Sequence, residues 1–159
     1  MELTARIEQL LAEKFSSDAD FNDCFLVETK LGAGKLLEVF VDSDGPMDFK
    51  RCQRISRFLE ADLDEHKWLG EEYTLEVSSP GIGRPLKFAR QYVKNIGRTV
   101  EITLLDGSVE TGILKKADEN GVVIEQEKKV LEGKKKVKVV VETGVLFDGM
   151  KRAVVVVVF

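Results

Sequence analysis

Apolar residues at Leu3, Ile7, Leu10, Leu11 and Phe15 recur at helical spacing with Glu2, Glu8 and Glu13 between them, which predicts an amphipathic helix over residues 2–15. From Cys24 the pattern changes to alternation. Residues 24–31 and 35–42 flank Gly32-Ala33-Gly34, with Leu37, Val39 and Val41 on one side and Leu36, Glu38 and Phe40 on the other, the pattern of a hairpin. Asp42-Ser43-Asp44-Gly45-Pro46 then turns the chain, and Asp48 is placed to cap a second helix, with Met47 stapling onto Cys52. Phe49, Cys52, Ile55, Leu59 and Leu63 supply the expected buried face of that helix, and residues 72–78 form a third strand. The order αββαβ lets two helices cover one face of a three-stranded sheet.

The stretch Ser78 to Lys87 interrupts this pattern, because Pro80, Gly81, Gly83 and Pro85 stop both helix and sheet. After it, residues 88–96 read as a helix or turn, followed by strands at 98–105, 109–116, 121–127, 134–142 and 152–159. Asp106-Gly107 and Asn120-Gly121 mark tight turns, and Thr143 to Gly149 can hold a short helical turn. Five short strands suggest a barrel that closes to hide its edges. The expected fold class is therefore α+β. A K-homology-like αββαβ domain over residues 1–83 precedes a small SH3-like or Sm-like β-barrel over residues 84–159.

Charge sharpens the division. Residues 1–80 hold 9 Lys/Arg against 18 Asp/Glu, whereas residues 81–159 hold 15 against 10, so the formal net charge of −4 hides a dipolar chain. Such asymmetry points to a nucleic-acid contact on the basic side. With 43% hydrophobic and 33% charged residues in 159, the chain has enough apolar material for a core and reads as a soluble globular protein. The longest apolar run, Ala153 to Phe159, falls far short of the roughly 18 residues of a membrane helix, and the N-terminus lacks signal-peptide character, so a cytoplasmic location is expected. Cys24 and Cys52 are expected as reduced packing residues, since no CxxC is present.

Few residues offer catalytic chemistry. Gly32-Ala33-Gly34-Lys35 is followed by Leu36 rather than Ser or Thr and sits between alternating segments, which favours a turn over a phosphate loop. Pro85 stands where the helix of a dinucleotide site would begin its bonded turns after Gly81-Ile82-Gly83. His66, the one histidine, lies in a charged stretch at a helix end, and Asp42, Asp44 and Asp48 read as turn and cap residues. No nucleophile, base and acid form a set, and no metal, cofactor or small-molecule substrate is expected.

The basic residues remain. Arg84, Lys87, Arg90, Lys94 and Arg98 recur every three to four residues, so a helix over 87–96 would align several of them to neutralise phosphates, with Phe88 and Tyr92 between them. The competing reading packs the aromatics onto the barrel and leaves the charges solvated or paired with the acidic half. Lys128, Lys129, Lys134, Lys135, Lys136 and Lys138 surround Gly133 at an expected hairpin tip, as an RNA contact or as a charged edge that deters aggregation. One face of 153–159 is expected to fill the barrel and the other to meet the first domain or a partner.

The segment Tyr73-Thr74-Leu75-Glu76-Val77-Ser78-Ser79-Pro80-Gly81-Ile82-Gly83-Arg84-Pro85-Leu86 resembles the signature of the bacterial ribosome maturation factor RimP family, and Met150-Lys151-Arg152-Ala153-Val154-Val155-Val156 resembles the end of its second domain. One departure is Gly83, where most members carry an acidic residue, so any hydrogen bond or ion pair of that side chain is absent here. The resemblance implies a monomeric, non-enzymatic assembly factor. Such a factor binds the free small (30S) ribosomal subunit, through rRNA and ribosomal proteins, and has no membrane partner. In that reading Ser78, Ser79, Pro80, Gly81 and Pro85 fix the junction, while Arg84, Lys87, Arg90, Lys94, Arg98, Lys134, Lys135 and Lys136 contact the subunit. An Sm-like regulator that binds single-stranded RNA as a ring is the alternative.

Overall fold

Ile7, Leu10, Leu11 and Phe15 are all buried along one side of α1 (Leu3–Ser17), as their spacing requires. The computed structural model describes residues 2–81 and 83–157 and divides into two compact units, Met1–Pro80 and Gly81–Phe159. In the first, β1 (Cys24–Gly32) and β2 (Leu36–Ser43) form an antiparallel hairpin around a tight turn at Ala33–Lys35. After α2 (Phe49–His66), β3 (Thr74–Ser78) pairs with β2 in parallel, giving the sheet order β1-β2-β3. The helical crossover is what lets consecutive parallel strands meet.

One core joins these elements. Leu37, Val39 and Val41 alternate along β2 and pack with the stripe of α1 and with Cys52, Ile55, Leu59 and Leu63 of α2, so both helices share one face of the sheet. Met47 packs at the edge of this cluster, and Asp48 caps α2 by accepting a hydrogen bond from the Arg51 N–H at 2.8 Å. Phe49 departs from expectation. It is 80% exposed, because the periodicity extends to the first helical residue while the packing begins only at Cys52. Between the helices, Arg6 of α1 meets Asp62 of α2 at 2.8 Å, and the Trp68 indole N–H donates to the same carboxylate at 3.1 Å.

In the second unit a short helix, α3 (Ala89–Lys94), precedes five antiparallel strands. These are β4 (Thr99–Leu104), β5 (Val109–Ala117), β6 (Gly121–Glu132), β7 (Lys135–Leu146) and β8 (Met150–Val155), in the order β7-β6-β5-β4-β8. Val100, Ile102, Leu114, Val122, Ile124, Val145, Ala153 and Val155 form the core, with Tyr92 of α3 laid against them.

The closed barrel expected from sequence is not formed among the described residues: β7 and β8 are the two edges of an open sheet. Closure needs bends, which β-bulges supply where β4 meets β8 and β5 meets β6, whereas β6 and β7 pair over 12 positions without a register shift. Those two strands also run well past the expected ends at 127 and 142, and β7 continues to Leu146, leaving only Phe147–Gly149 as a helical turn. The last strand ends at Val155, short of the expected 159; Val158 and Phe159 lie outside the described residues. Gly121, which opens β6, is required by close approach, because a Cβ there would stand 2.4 Å from the Val145 carbonyl oxygen.

Candidate nucleic-acid interface

The basic stretch that follows the Pro/Gly-rich junction is anchored to the second unit at both ends. The Leu86 N–H donates to the Ala153 carbonyl at 2.8 Å, and the Gly97 N–H donates to the Leu114 carbonyl at 2.8 Å. Between these anchors, the buried Gln91 carboxamide oxygen accepts from the Lys87 and Phe88 N–H groups at 2.8 and 2.9 Å, so the chain enters α3 in one fixed geometry. Asn95 closes the helix by donating to the Gln91 carbonyl at 2.7 Å.

Only part of the expected helical row exists. α3 spans Ala89 to Lys94, so Arg90 and Lys94 alone are four residues apart on one helix. Arg84 and Lys87 belong to the extended approach, and Arg98 follows the turn before β4. Lys87, Arg90 and Arg98 are exposed, while Arg84 and Lys94 are half-buried.

The two aromatics divide. Tyr92 is 3% exposed, its ring centroid lies 5.0 Å from that of Phe147, and its hydroxyl reaches the Met150 sulfur at 3.4 Å. That burial makes it a core residue and not a stacking platform, and it pushes the phenol up to about 12. Phe88 stays partly exposed, with the Lys87 ammonium 5.4 Å from its ring centroid.

Beside these residues lies a cavity of about 340 Å³ lined by Leu86, Phe88, Phe147 and Met150, by the cations of Lys87, Lys151 and Arg152, and by the carboxylate-bearing Glu119. Lys151 and Arg152 were not singled out from sequence. They sit 64 and 65 positions from Lys87 and come to it only through the turn that starts β8, although their adjacency in Met150-Lys151-Arg152 was a visible signal.

Lys134, Lys135 and Lys136 are exposed at the tip joining β6 and β7, well along the strands from the sheet's third member, and are not part of the α3 group. At the junction, Ser78 ends β3 opposite Phe40, and Ser79 and Pro80 are half-buried. Gly81 and Gly83 hold φ of +63° and +94°, while Pro85 is exposed. A side chain at Gly83 would meet open space yet carry the strain of that backbone angle, which is how this chain differs from an acidic residue there.

Other reactive groups have structural surroundings. Cys24 and Cys52 are buried free thiols; burial pushes Cys24 up to about 11, and Cys52 is raised for the same reason. Arg51 holds Asp23, the Asp20 and Pro46 carbonyls and the Cys24 sulfur together, and its hydrogen bond keeps the Asp23 carboxyl below the usual range. His66 is half exposed, 3.6 Å from Asp62. Among the described residues no three His, Cys, Asp or Glu side chains cluster as a metal site would need.

The profile of the RimP N-terminal domain matches residues 11–83. Over the full length of both chains, the sequence is also 28% identical to the ribosome maturation factor RimP of Flavobacterium psychrophilum. Both likenesses are to the RimP family. The match to the RimP N-terminal domain covers most of the acidic αββαβ unit and ends at Gly83, immediately before the first of the clustered arginines. The relative's alignment carries the RimP likeness on through α3, the open sheet and the β6–β7 hairpin.

Proposed function

We propose that this protein is a cytoplasmic ribosome maturation factor that binds the free small (30S) ribosomal subunit and assists its assembly without catalysing a reaction. The observation that carries the reading is the fixed basic segment of a family whose named member is a maturation factor: Arg84, Lys87, Arg90, Lys94 and Arg98 sit on a strap and helix tied down at Leu86 and Gly97. A backbone already held in place presents its cations to phosphates at a lower ordering cost than a mobile segment would. Lys151 and Arg152 join this group beside the cavity, and a second, separate contact lies on the β6–β7 hairpin, where Lys136 meets phosphate while Lys134 and Lys135 mark the tip.

The K-homology-like αββαβ domain, residues 1–83, is the acidic partner for basic ribosomal proteins, while residues 84–159 meet rRNA, so the two charges orient the factor on a mixed surface. Ser78, Ser79, Pro80, Gly81 and Pro85 serve as the junction. No described helix is long and apolar enough to cross a membrane.

The direct test uses Arg90→Ala and Arg84→Ala in salt-dependent binding to purified small subunits. Each is expected to weaken binding several-fold and to lower the salt dependence by about one counterion. Wild-type binding by both variants across the salt series contradicts the assignment. The Sm-like ring has one observation in its favour, since β7 and β8 leave two open edges through which copies can pair. A monomer in gel filtration with no affinity for unstructured RNA sets it aside.

A further inference from the structure

Past Gln126, strands β6 and β7 leave the sheet and continue as a two-stranded ribbon. β5 pairs with β6 only from Val122 to Glu125, yet the β6–β7 ladder runs on through Glu127↔Val140, Lys129↔Lys138 and Glu132↔Lys135. At about 3.3 Å per residue, these six further pairs extend roughly 20 Å. An isolated two-stranded hairpin is marginally stable in water, so a ribbon of this length needs a reason to persist.

Directly opposed residues share a face, and the register sorts the ribbon into two unlike faces. The inner one, continuous with buried Val122 and Ile124, carries Val130 opposite Val137, Val139 opposite Lys128, and the matched charges Glu132 and Lys135. The outer one carries Lys129 directly opposite Lys138, with Lys136 opposite Leu131, and Glu127 as its one carboxylate.

Like charges placed directly opposite destabilise a sheet. A ribbon that only had to resist edge aggregation could have used the Glu–Lys pairing present on its inner face. Among the described residues no salt bridge engages Lys129, Lys136 or Lys138.

We propose that the β6–β7 ribbon is an RNA-binding arm whose outer face, Lys129, Lys136 and Lys138, grips the sugar-phosphate backbone. Lysine is a point charge on a flexible stem, so the arm holds phosphates without reading bases. This deepens the maturation-factor reading, on which it rests for RNA as the polyanion, and it divides the tip lysines: Lys136 belongs to the gripping face, Lys135 to the opposite one, and Lys134 to the turn.

The test compares two variants of the full chain with equal charge loss, K129Q/K136Q/K138Q and K128Q/K134Q/K135Q, against an RNA hairpin with a stem of about 12 base pairs over a salt series. Removing the outer-face lysines is expected to weaken binding at least about tenfold and to flatten the log–log salt slope by about 2. The inner-face and turn set is expected to change affinity less than about twofold. Equal losses in the two variants, or none in the first, overturn the proposal.

Because altered ribbons can misfold, amide NMR of the wild-type chain during titration with the same RNA gives an independent readout. The largest shifts are expected over residues 127–140, and shifts confined to other segments overturn the arm. Subunit pelleting separates the two ideas: an arm that grips hairpin RNA in a chain that ignores small subunits leaves this inference standing and removes the maturation-factor role. Wild-type pelleting by K129Q/K136Q/K138Q with lost RNA binding leaves both intact, with the subunit held mainly through the α3 group.

Discussion

At the scale of single residues, the acid–base groups that matter most to stability are carboxylates paired with arginine. A hydrogen bond from Arg6 keeps Asp62 below the usual carboxylate range, and one from Arg51 does the same for Asp23. Their folded pKa values lie below the unfolded value of about 3.9, so the stabilisation is present at neutral pH and is lost as the pH falls through the folded values. Thermal unfolding should therefore change little on their account between pH 7 and 5 and fall steeply below about pH 4. Asp62→Asn should lower Tm at pH 7 and lose less than wild type on acidification, as calorimetry at several pH values will show.

Two glycines give a sharper contrast. Gly121→Ala forces a methyl group against the Val145 carbonyl and should cost about 2 kcal/mol, whereas Gly144→Ala meets open space and should stay within about 0.5 kcal/mol by denaturant titration. Residue-level reading of the sequence succeeded where burial follows period, as at Leu11 and Ile55, both fully buried. It failed at Phe49, because periodicity says which side of a helix is apolar but not where the partner beneath it ends.

Among the elements, α3 and the β6–β7 ribbon differ most from what pattern alone suggests. The spacing of Arg84 to Arg98 reads as one helical row, but Pro85 and Gly97 flank a helix of only six residues. What replaces the longer helix is a set of local bonds centred on Gln91. Gln91→Ala strips the acceptor from two backbone N–H groups and should cost about 1–2 kcal/mol, with accompanying loss of order at Lys87 and Phe88 measurable by amide exchange.

The ribbon was legible as a hairpin around Gly133 but not as an arm. Its lysines lower strand propensity, and only the paired register reveals that two strands of 12 residues outrun β5. Lacking a third strand, amides of residues 127–140 should exchange far faster than those of β4, whose two neighbours pair it on both sides. Slow exchange throughout the hairpin would contradict the free ribbon.

For the whole molecule, the sequence already separated an acidic αββαβ segment from a basic all-β segment, because period, turn chemistry and charge change together near Pro80. The junction signature and the resemblance it carries were readable there too. Barrel closure was not, since strand count does not determine whether bulges fall where the outer strands must bend. Nor was the meeting of Lys87 with Lys151 and Arg152, which depends on how β8 returns beside the strap.

The central claim is selective binding to the free small subunit, and the measurement that tests it most directly is co-sedimentation of the purified protein with separated small subunits, large subunits and whole ribosomes at low and high salt. The account predicts pelleting with the small subunit that persists as salt is raised, with little on the other particles. Equal pelleting with all three at low salt and none at high salt would contradict it, reducing the basic half to a nonspecific binder of polyanions.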